Sequence, residues 1–180
     1  MRDQMIVALV SALIVAGKMF IKSPIRVPGH SGFFWMALII IGVAVIRRPG
    51  AGTMIGIVSG LLATMLTPGR LGILAGVKYF VPGVVVDALY LAFGGRFDRV
   101  YVAVVVAATA NVAKLAANYI AGVVLGIPAG YLALGLGVAS TTHVLFGALG
   151  GAAAAVVLQR LDRTGALDRL LPRPAGGLGE

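Results

Sequence analysis

The chain has 180 residues, of which 59% are hydrophobic and 12% charged, whereas roughly 25% are charged in ordinary soluble domains, so its composition excludes that class. It has no cysteine and two histidines, which exclude disulfides and thiolate metal sites, and we expect no metal and no cofactor. The net charge of +9 would suggest nucleic acid in a soluble protein. Here the basic residues flank apolar runs, so we expect a lipid bilayer and no nucleic acid as the partner.

Six apolar runs predict six helices. Spanning a bilayer takes about 20 apolar residues, and in lipid the backbone must satisfy its own hydrogen bonds, which favours helices over strands. Turn residues such as Pro and Gly separate the runs. The predicted fold is therefore an all-α integral membrane protein, a six-transmembrane-helix bundle. The runs are Met5–Phe20, Phe33–Ile46, Ala51–Leu66, Leu71–Phe93, Val100–Leu125 and Leu132–Leu158.

Basic residues predict how the chain is oriented. With the N-terminus inside, the inner side holds nine Lys and Arg residues and the outer side four, so we expect both termini to be cytoplasmic and the chain to be a multi-pass protein of the plasma membrane. Residues 1–160 are predicted to form one transmembrane domain, and residues 161–180 a basic, disordered cytoplasmic tail. One alternative stays open. The first run could be a cleavable signal peptide, which would leave five helices.

Small residues recur at spacings of four on three of the helices. Such rows form smooth ridges that allow close contact between helices. The glycine rows predict internal packing. The alanine row on the first helix fits either internal packing or an external partner, because a first helix has an exposed flank. The rows are Ala8, Ala12 and Ala16; Gly52, Gly56 and Gly60; and Gly147 and Gly151.

Polar side chains are predicted at membrane depth. Asn111, Lys114 and Asn118 share one face of the fifth helix. A lysine that faced lipid there would cost about 2.5–3.5 kcal/mol, so this face should line a cavity or contact a partner. Lys78 is expected in the same outer half of the bilayer. Asp87 is deeper, and either neutralises a lysine or takes part in function.

The first outer loop, Ile21 to Gly32, is followed by three aromatic residues. Proline and glycine allow it to fold over the bundle as a lid. An ordinary interfacial loop, with the aromatic residues as an interface belt, explains the same pattern equally well.

Sequence motifs bear on three classes of function, namely an ATPase, a solitary transporter and an intramembrane hydrolase. The phosphate-binding pattern G-x-x-x-x-G-K-[ST] is absent, so we expect no ATPase activity in this chain. A solitary small-solute transporter usually shows two related halves, and no convincing repeat is present. An intramembrane hydrolase is less favoured, because Ser140 and His143 fall within one helical turn, whereas a catalytic pair normally comes from separate elements.

Several of these features together resemble the substrate-binding S component of an energy-coupling factor (ECF) transporter. They are six helices with both termini inside, the alanine row, a structured first outer loop, and polar groups on helices four to six. Two stretches are also similar to this family. They are Ile46-Arg47-Arg48-Pro49-Gly50-Ala51 and the glycine-rich segment from His143 to Gly151.

The resemblance implies a non-enzymatic subunit that binds a vitamin or related micronutrient. It would dock through Ala8, Ala12 and Ala16 onto a transmembrane coupling subunit, which two ABC ATPases energise. His30 and Trp35 would cap the pocket. The substrate stays open, a thiamine-precursor pyrimidine being one hypothesis. The implied ligand contacts are Lys78, Tyr79, Asn111, Lys114, Asn118, Tyr119 and His143.

Overall fold

The computed structural model describes residues 1–20, 29–66 and 72–166. Residues 21–28, with most of the predicted lid, and residues 167–180, with most of the predicted tail, lie outside the described residues. The described part forms seven helices. These are α1 (Arg2–Phe20), α2 (Ser31–Ile46), α3 (Ala51–Leu66), α4 (Gly72–Ala92), α5 (Val100–Val124), α6 (Ala129–Leu134) and α7 (Leu136–Arg163).

The last predicted helix differs most from the structure. The run Leu132–Leu158 is divided at Gly135 into the short α6 and the long α7, because glycine is a poor helix former and Gly137 follows closely. α7 also continues to Arg163, past the predicted boundary at residue 160. Arg160 and Arg163 occupy its last turn, where positive charge is favourable at the helix C-terminus.

Length and composition single out two helices. Within the part of the chain that the structure describes, α5 and α7 are long and apolar enough to cross a bilayer, while α2 and α3 are shorter apolar helices. Large apolar side chains also cover much of the outer surface. Met65 is 79% exposed and Leu134 86% exposed. Such a surface is unusual for a soluble monomer and suits contact with lipid.

The glycine rows lie where pairs of helices pack closely. α3 packs antiparallel on α4, where a Cβ added at Gly56 would lie 2.6 Å from the carbonyl oxygen of Tyr79. α5 packs antiparallel on α7 in the same manner, and a Cβ added at Gly147 would lie 2.8 Å from the carbonyl oxygen of Ala107. Internal packing, the prediction for both glycine rows, is confirmed.

α2 lies at the centre of the bundle. It contacts α1, α3, α5 and α7, and its side chains Met36, Ile39, Ile40 and Val43 are fully buried. The two ends of the bundle differ in character. Seven of the described arginines lie in the loops and helix ends at one of them, here called the basic end. They are Arg2, Arg47, Arg48, Arg96, Arg99, Arg160 and Arg163. The opposite end holds the C-terminus of α1 and the N-terminus of α2.

Candidate functional site

A cavity of about 510 Å³ opens at the end of the bundle opposite the basic end. This volume lies within the range of small-molecule sites, roughly 300–1,000 Å³. Four helices and the residue before α2 form its walls, so it lies between packed elements rather than on a loop. The lining residues are Ile14, Gly17, Lys18, His30, Ser31, Phe33, Phe34, Trp35, Tyr79 and Lys114.

Helical spacing explains how each wall forms. Ile14, Gly17 and Lys18 share one face of α1, at spacings of three and four residues. The aromatic residues at the start of α2 form the adjacent wall. There, Trp35 packs edge-on against Tyr79 of α4, with ring centres 5.9 Å apart and an interplanar angle of 64°. This is a favourable arrangement for two aromatic rings.

Two lysine ammonium groups lie over these rings. Lys114 Nζ is 4.4 Å from the centre of the Trp35 ring, and Lys18 Nζ is 5.3 Å from the centre of the Tyr79 ring. Both distances are typical of cation–π contacts. Lys78 of α4 lies close enough for Coulombic repulsion with Lys18 and Lys114. Among the described residues no carboxylate forms an ion pair with any of the three.

Three buried polar atoms toward this end have no hydrogen-bond partner among the described residues. They are Nε1 of Trp35, a residue of the cavity wall, and the side-chain oxygens of Asn111 and Asn118, which lie one helical turn before and after Lys114. Buried polar groups are satisfied in most proteins, so an unpaired donor in a cavity wall is a candidate ligand contact. The atom itself is inaccessible in this structure, so the indole ring must turn before Trp35 Nε1 can donate a hydrogen bond to a bound molecule.

Asn111 and His143, two of the predicted ligand contacts, lie outside the residues that line the cavity, and their roles as ligand contacts stay predictions. Both are buried. Asn111 Nδ2 donates a 2.8 Å hydrogen bond to the carbonyl oxygen of His143, which ties α5 to α7. His143 Nδ1 lies 2.7 Å from the carbonyl oxygen of Ala139. The two side chains pack against Gly32 and Gly29, so they support the start of α2.

The other predicted contacts divide into two groups. His30, Trp35, Tyr79 and Lys114 come together in the cavity wall. Lys78, Asn118 and Tyr119 are partly buried and lie outside the described lining. Their roles as ligand contacts stay predictions.

Sequence reasoning missed the contribution of α1. From the sequence, Lys18 is one of the four basic residues predicted on the outer side, and Ile14 and Gly17 belong to the apolar run Met5–Phe20. A signal for Lys18 was available. It lies four residues after Ile14 and therefore shares a face with a residue that packs inward.

Asp87 has a structural partner that the sequence did not suggest. Its carboxylate accepts hydrogen bonds from the amides of Gly52, at 2.9 Å, and Thr53, at 2.7 Å, and from the Thr53 hydroxyl. These amides belong to the first turn of α3, where helix N–H groups lack partners within the helix. Asp87 therefore caps α3 from α4, and its negative charge suits a helix N-terminus.

The alanine row on α1 lies on the outside of the bundle. Ala8 and Ala12 are exposed and Ala16 is partly buried. The large residues beside them, Met5 and Leu9, are 71% and 62% exposed. The opposite face of α1 packs on α2 and α3. The row is thus open to contact from outside rather than used for internal packing.

Side chains that could act in catalysis or bind a metal have other surroundings. Thr141 and Thr142 donate hydrogen bonds to carbonyl oxygens one turn earlier in α7, as hydroxyls in helices commonly do. Among the described residues, no three His, Cys, Asp or Glu side chains are close enough together to hold a metal ion. The cavity with its rings and lysines is the site with the clearest binding chemistry.

Comparison with solved structures gives one informative match. A protein described as "Crystal structure of an S-component of ECF transporter" superimposes on this chain with a TM-score of 0.64 and 21% sequence identity. The match covers 94% of this chain and 88% of the other. At this level of identity the similarity shows a shared fold. No protein-family model matches the chain, and no curated protein matches it.

Proposed function

We propose that this chain is the membrane-embedded substrate-capture subunit of an ECF-type uptake transporter for a vitamin or related micronutrient. The observation that carries the proposal is the 510 Å³ cavity, walled by aromatic rings and lysines, in a fold shared with a solved S-component. The cavity has the size and the mixture of apolar wall and few polar groups expected of a small-molecule site. The proposed role is binding, without catalysis.

The proposed orientation follows from charge. The arginines of the basic end would face the cytoplasm, by the positive-inside rule. The cavity would then open toward the outside, where a scarce nutrient has to be captured. Both termini would be cytoplasmic in a multi-pass protein of the plasma membrane. The exposed apolar side chains support contact with lipid.

The partners are proposed from the surface of α1. The exposed row of Ala8 and Ala12, continued by the partly buried Ala16, offers a smooth surface on which a second helix can pack closely. We assign it to a transmembrane coupling subunit, and assign the energy source to two cytoplasmic ABC ATPases. α1 also carries Gly17 and Lys18 in the cavity wall, so one helix joins the proposed docking surface to the substrate.

The cap is proposed from the residues before α2. His30 precedes α2 and lines the cavity, so we assign it to the cover of the site. Trp35 and Tyr79 would form the part of the cavity wall that lies under this cap. His30 and Trp35 therefore keep their proposed roles beside the bound substrate.

Affinity purification from native membranes tests the proposal. The chain is tagged, solubilised in a detergent that keeps a reference membrane complex intact, and analysed by mass spectrometry. The proposal expects recovery of one membrane coupling protein and two ABC-type ATPases in stable ratio. Recovery of the chain alone, beside an intact reference complex, would contradict it and would favour a solitary transporter.

A further inference from the structure

We infer that the molecule captured in the cavity is an organic anion, a planar or aromatic body bearing a carboxylate or phosphate group. This inference rests on the proposed function and specifies its substrate class. Its basis is the juxtaposition of Lys18 and Lys114 with the Trp35–Tyr79 ring pair.

The first step is the charge balance of the site. The whole chain contains six acidic residues, and none of the described ones compensates the lysines. Asp3, Asp98 and Asp162 lie toward the basic end. Asp87 is engaged by the first turn of α3. The remaining two belong to the segment after residue 166, which follows the basic end of α7. The site therefore carries positive charge without a described counter-ion.

The second step is depth. Lys114 lies ten residues before the end of α5 at Val124, which corresponds to about 15 Å along a helix. That is too far for its side chain to reach the helix end, so it cannot place its charge in the interface as lysines near helix ends do. Its ammonium points instead to the Trp35 ring. Charged groups inside a membrane segment usually face a cavity and mark a substrate path.

The third step compares energies. A cation–π contact offsets only part of the cost of placing a lysine at the centre of a membrane helix. Repulsion among three neighbouring ammonium groups adds to that cost. Aromatic rings alone therefore do not balance these charges. An anion between Lys18 and Lys114 would do so.

The fourth step concerns the rest of the ligand. Most of the lining is apolar or aromatic, and it includes Phe33, Phe34 and Ile14 as well as the two rings. An inorganic anion would leave these walls without a partner. A flat apolar or heteroaromatic body fills them and can stack on a ring. An acceptor on that body can accept a hydrogen bond from the unpaired Trp35 Nε1 once the indole ring turns toward it.

The experiment compares matched pairs of probes on the purified full-length protein in a lipid-free, uncharged detergent. The probes are pyridine-3-carboxylate with pyridine-3-carboxamide, indole-3-acetate with indole-3-acetamide, and phenyl phosphate with phenol. Thermal unfolding is recorded for each. The inference expects at least one acid to stabilise the protein at concentrations about tenfold lower than its neutral partner, a difference of about 1.4 kcal/mol. Equal effects within every pair, or no effect of any acid, would overturn it.

Variants of Lys114 test whether this lysine binds the acidic group. Lys114→Gln should abolish the preference for the acid, while Lys114→Arg, which keeps the charge, should retain part of it. Arg160→Gln removes one positive charge at the far end of α7 and should leave the preference unchanged. An acid preference that persists in Lys114→Gln at full strength contradicts the assignment of this site.

Mass spectrometry of molecules extracted from the wild-type protein separates this inference from the proposed function. A retained carboxylate or phosphate of low molecular mass supports the inference. A retained neutral or cationic molecule, or an anionic lipid in place of a small solute, contradicts it. If the coupling subunit and ATPases co-purify in that same preparation, the proposed function stands while the substrate class fails.

Discussion

Lys114 Nζ lies 4.4 Å from the centre of the Trp35 ring, so a charge from α5 meets an aromatic surface from α2 inside the bundle. The Trp35 ring in turn packs edge-on against Tyr79 of α4. Three helices thus converge on one point of the cavity wall. A ligand that binds there contacts all three at once.

The unpaired indole nitrogen gives a first prediction. Trp35→Phe keeps an aromatic ring in the wall but removes the Nε1 donor, which has no partner in the described part of the protein. We expect the affinity for the co-purified ligand to fall by about 3–10-fold, since a hydrogen bond contributes about 0.5–1.5 kcal/mol. Isothermal titration calorimetry measures this. The control is Tyr101→Phe, which loses a hydroxyl at the basic end. Equal affinities for wild type and Trp35→Phe would show that the indole N–H does not contribute to ligand binding.

The contact between Asp87 and α3 gives a second prediction. Asp87→Asn removes the charge that caps the first turn of α3 and weakens the hydrogen bonds from Gly52 and Thr53. We expect unfolding to cost about 1–3 kcal/mol less, with ligand affinity unchanged within twofold. Thermal unfolding and ligand titration of the same preparation decide this. A loss of binding at wild-type stability would show instead that Asp87 belongs to the binding site.

The close approach of α3 and α4 gives a third prediction. Gly56→Ala places a Cβ against the Tyr79 carbonyl oxygen, so the two helices must separate, and we expect a destabilisation of about 1–3 kcal/mol. Gly137→Ala is the matched control, because a Cβ there meets nothing within 4 Å and alanine favours helix. The control should be as stable as wild type or more so. Equal stability of the two variants would contradict the described packing.

The proposed docking surface gives a fourth prediction. Ala12→Trp adds a bulky side chain to the exposed row on α1, which should abolish substrate uptake in cells while ligand binding by the purified chain stays intact. Ala88→Trp makes the same change at an exposed alanine of α4 and should leave uptake near wild type. Uptake is measured with labelled ligand. Normal uptake by the Ala12 variant would rule out this surface as the coupling contact.

The helices could be predicted from sequence because apolar runs are bounded by residues that favour turns. Ala51–Leu66 agrees with α3 at both ends. The break at Gly135 was missed, since apolar residues continue on both sides of it and composition alone does not show where a helix is interrupted. The glycine rows were interpreted correctly because small residues at a spacing of four have a direct packing consequence.

The site was predicted only in part. Lys114 and Tyr79 were identified from depth and residue type, and both line the cavity. Asn111 shares a helix face with Lys114, but its amide is taken up by the carbonyl of His143, a partner 32 residues away. The contribution of Lys18 depends on how the packing of α1 on α2 and α3 brings its side chain over Tyr79 of α4. Such contacts are set by tertiary packing, which spacing along one helix does not encode.

Intrinsic fluorescence offers the most direct test of the central claim, that the cavity captures a small molecule. Trp35 is the only tryptophan in the sequence and lines the cavity, so its emission reports this site. Small molecules extracted from the purified protein are titrated back into ligand-free wild type and into Lys114→Gln. The account predicts a saturable change in emission for wild type that is lost or shifted at least about tenfold in concentration for the variant. Saturable binding, measured by calorimetry, that leaves Trp35 emission unchanged would place the ligand elsewhere and contradict the account.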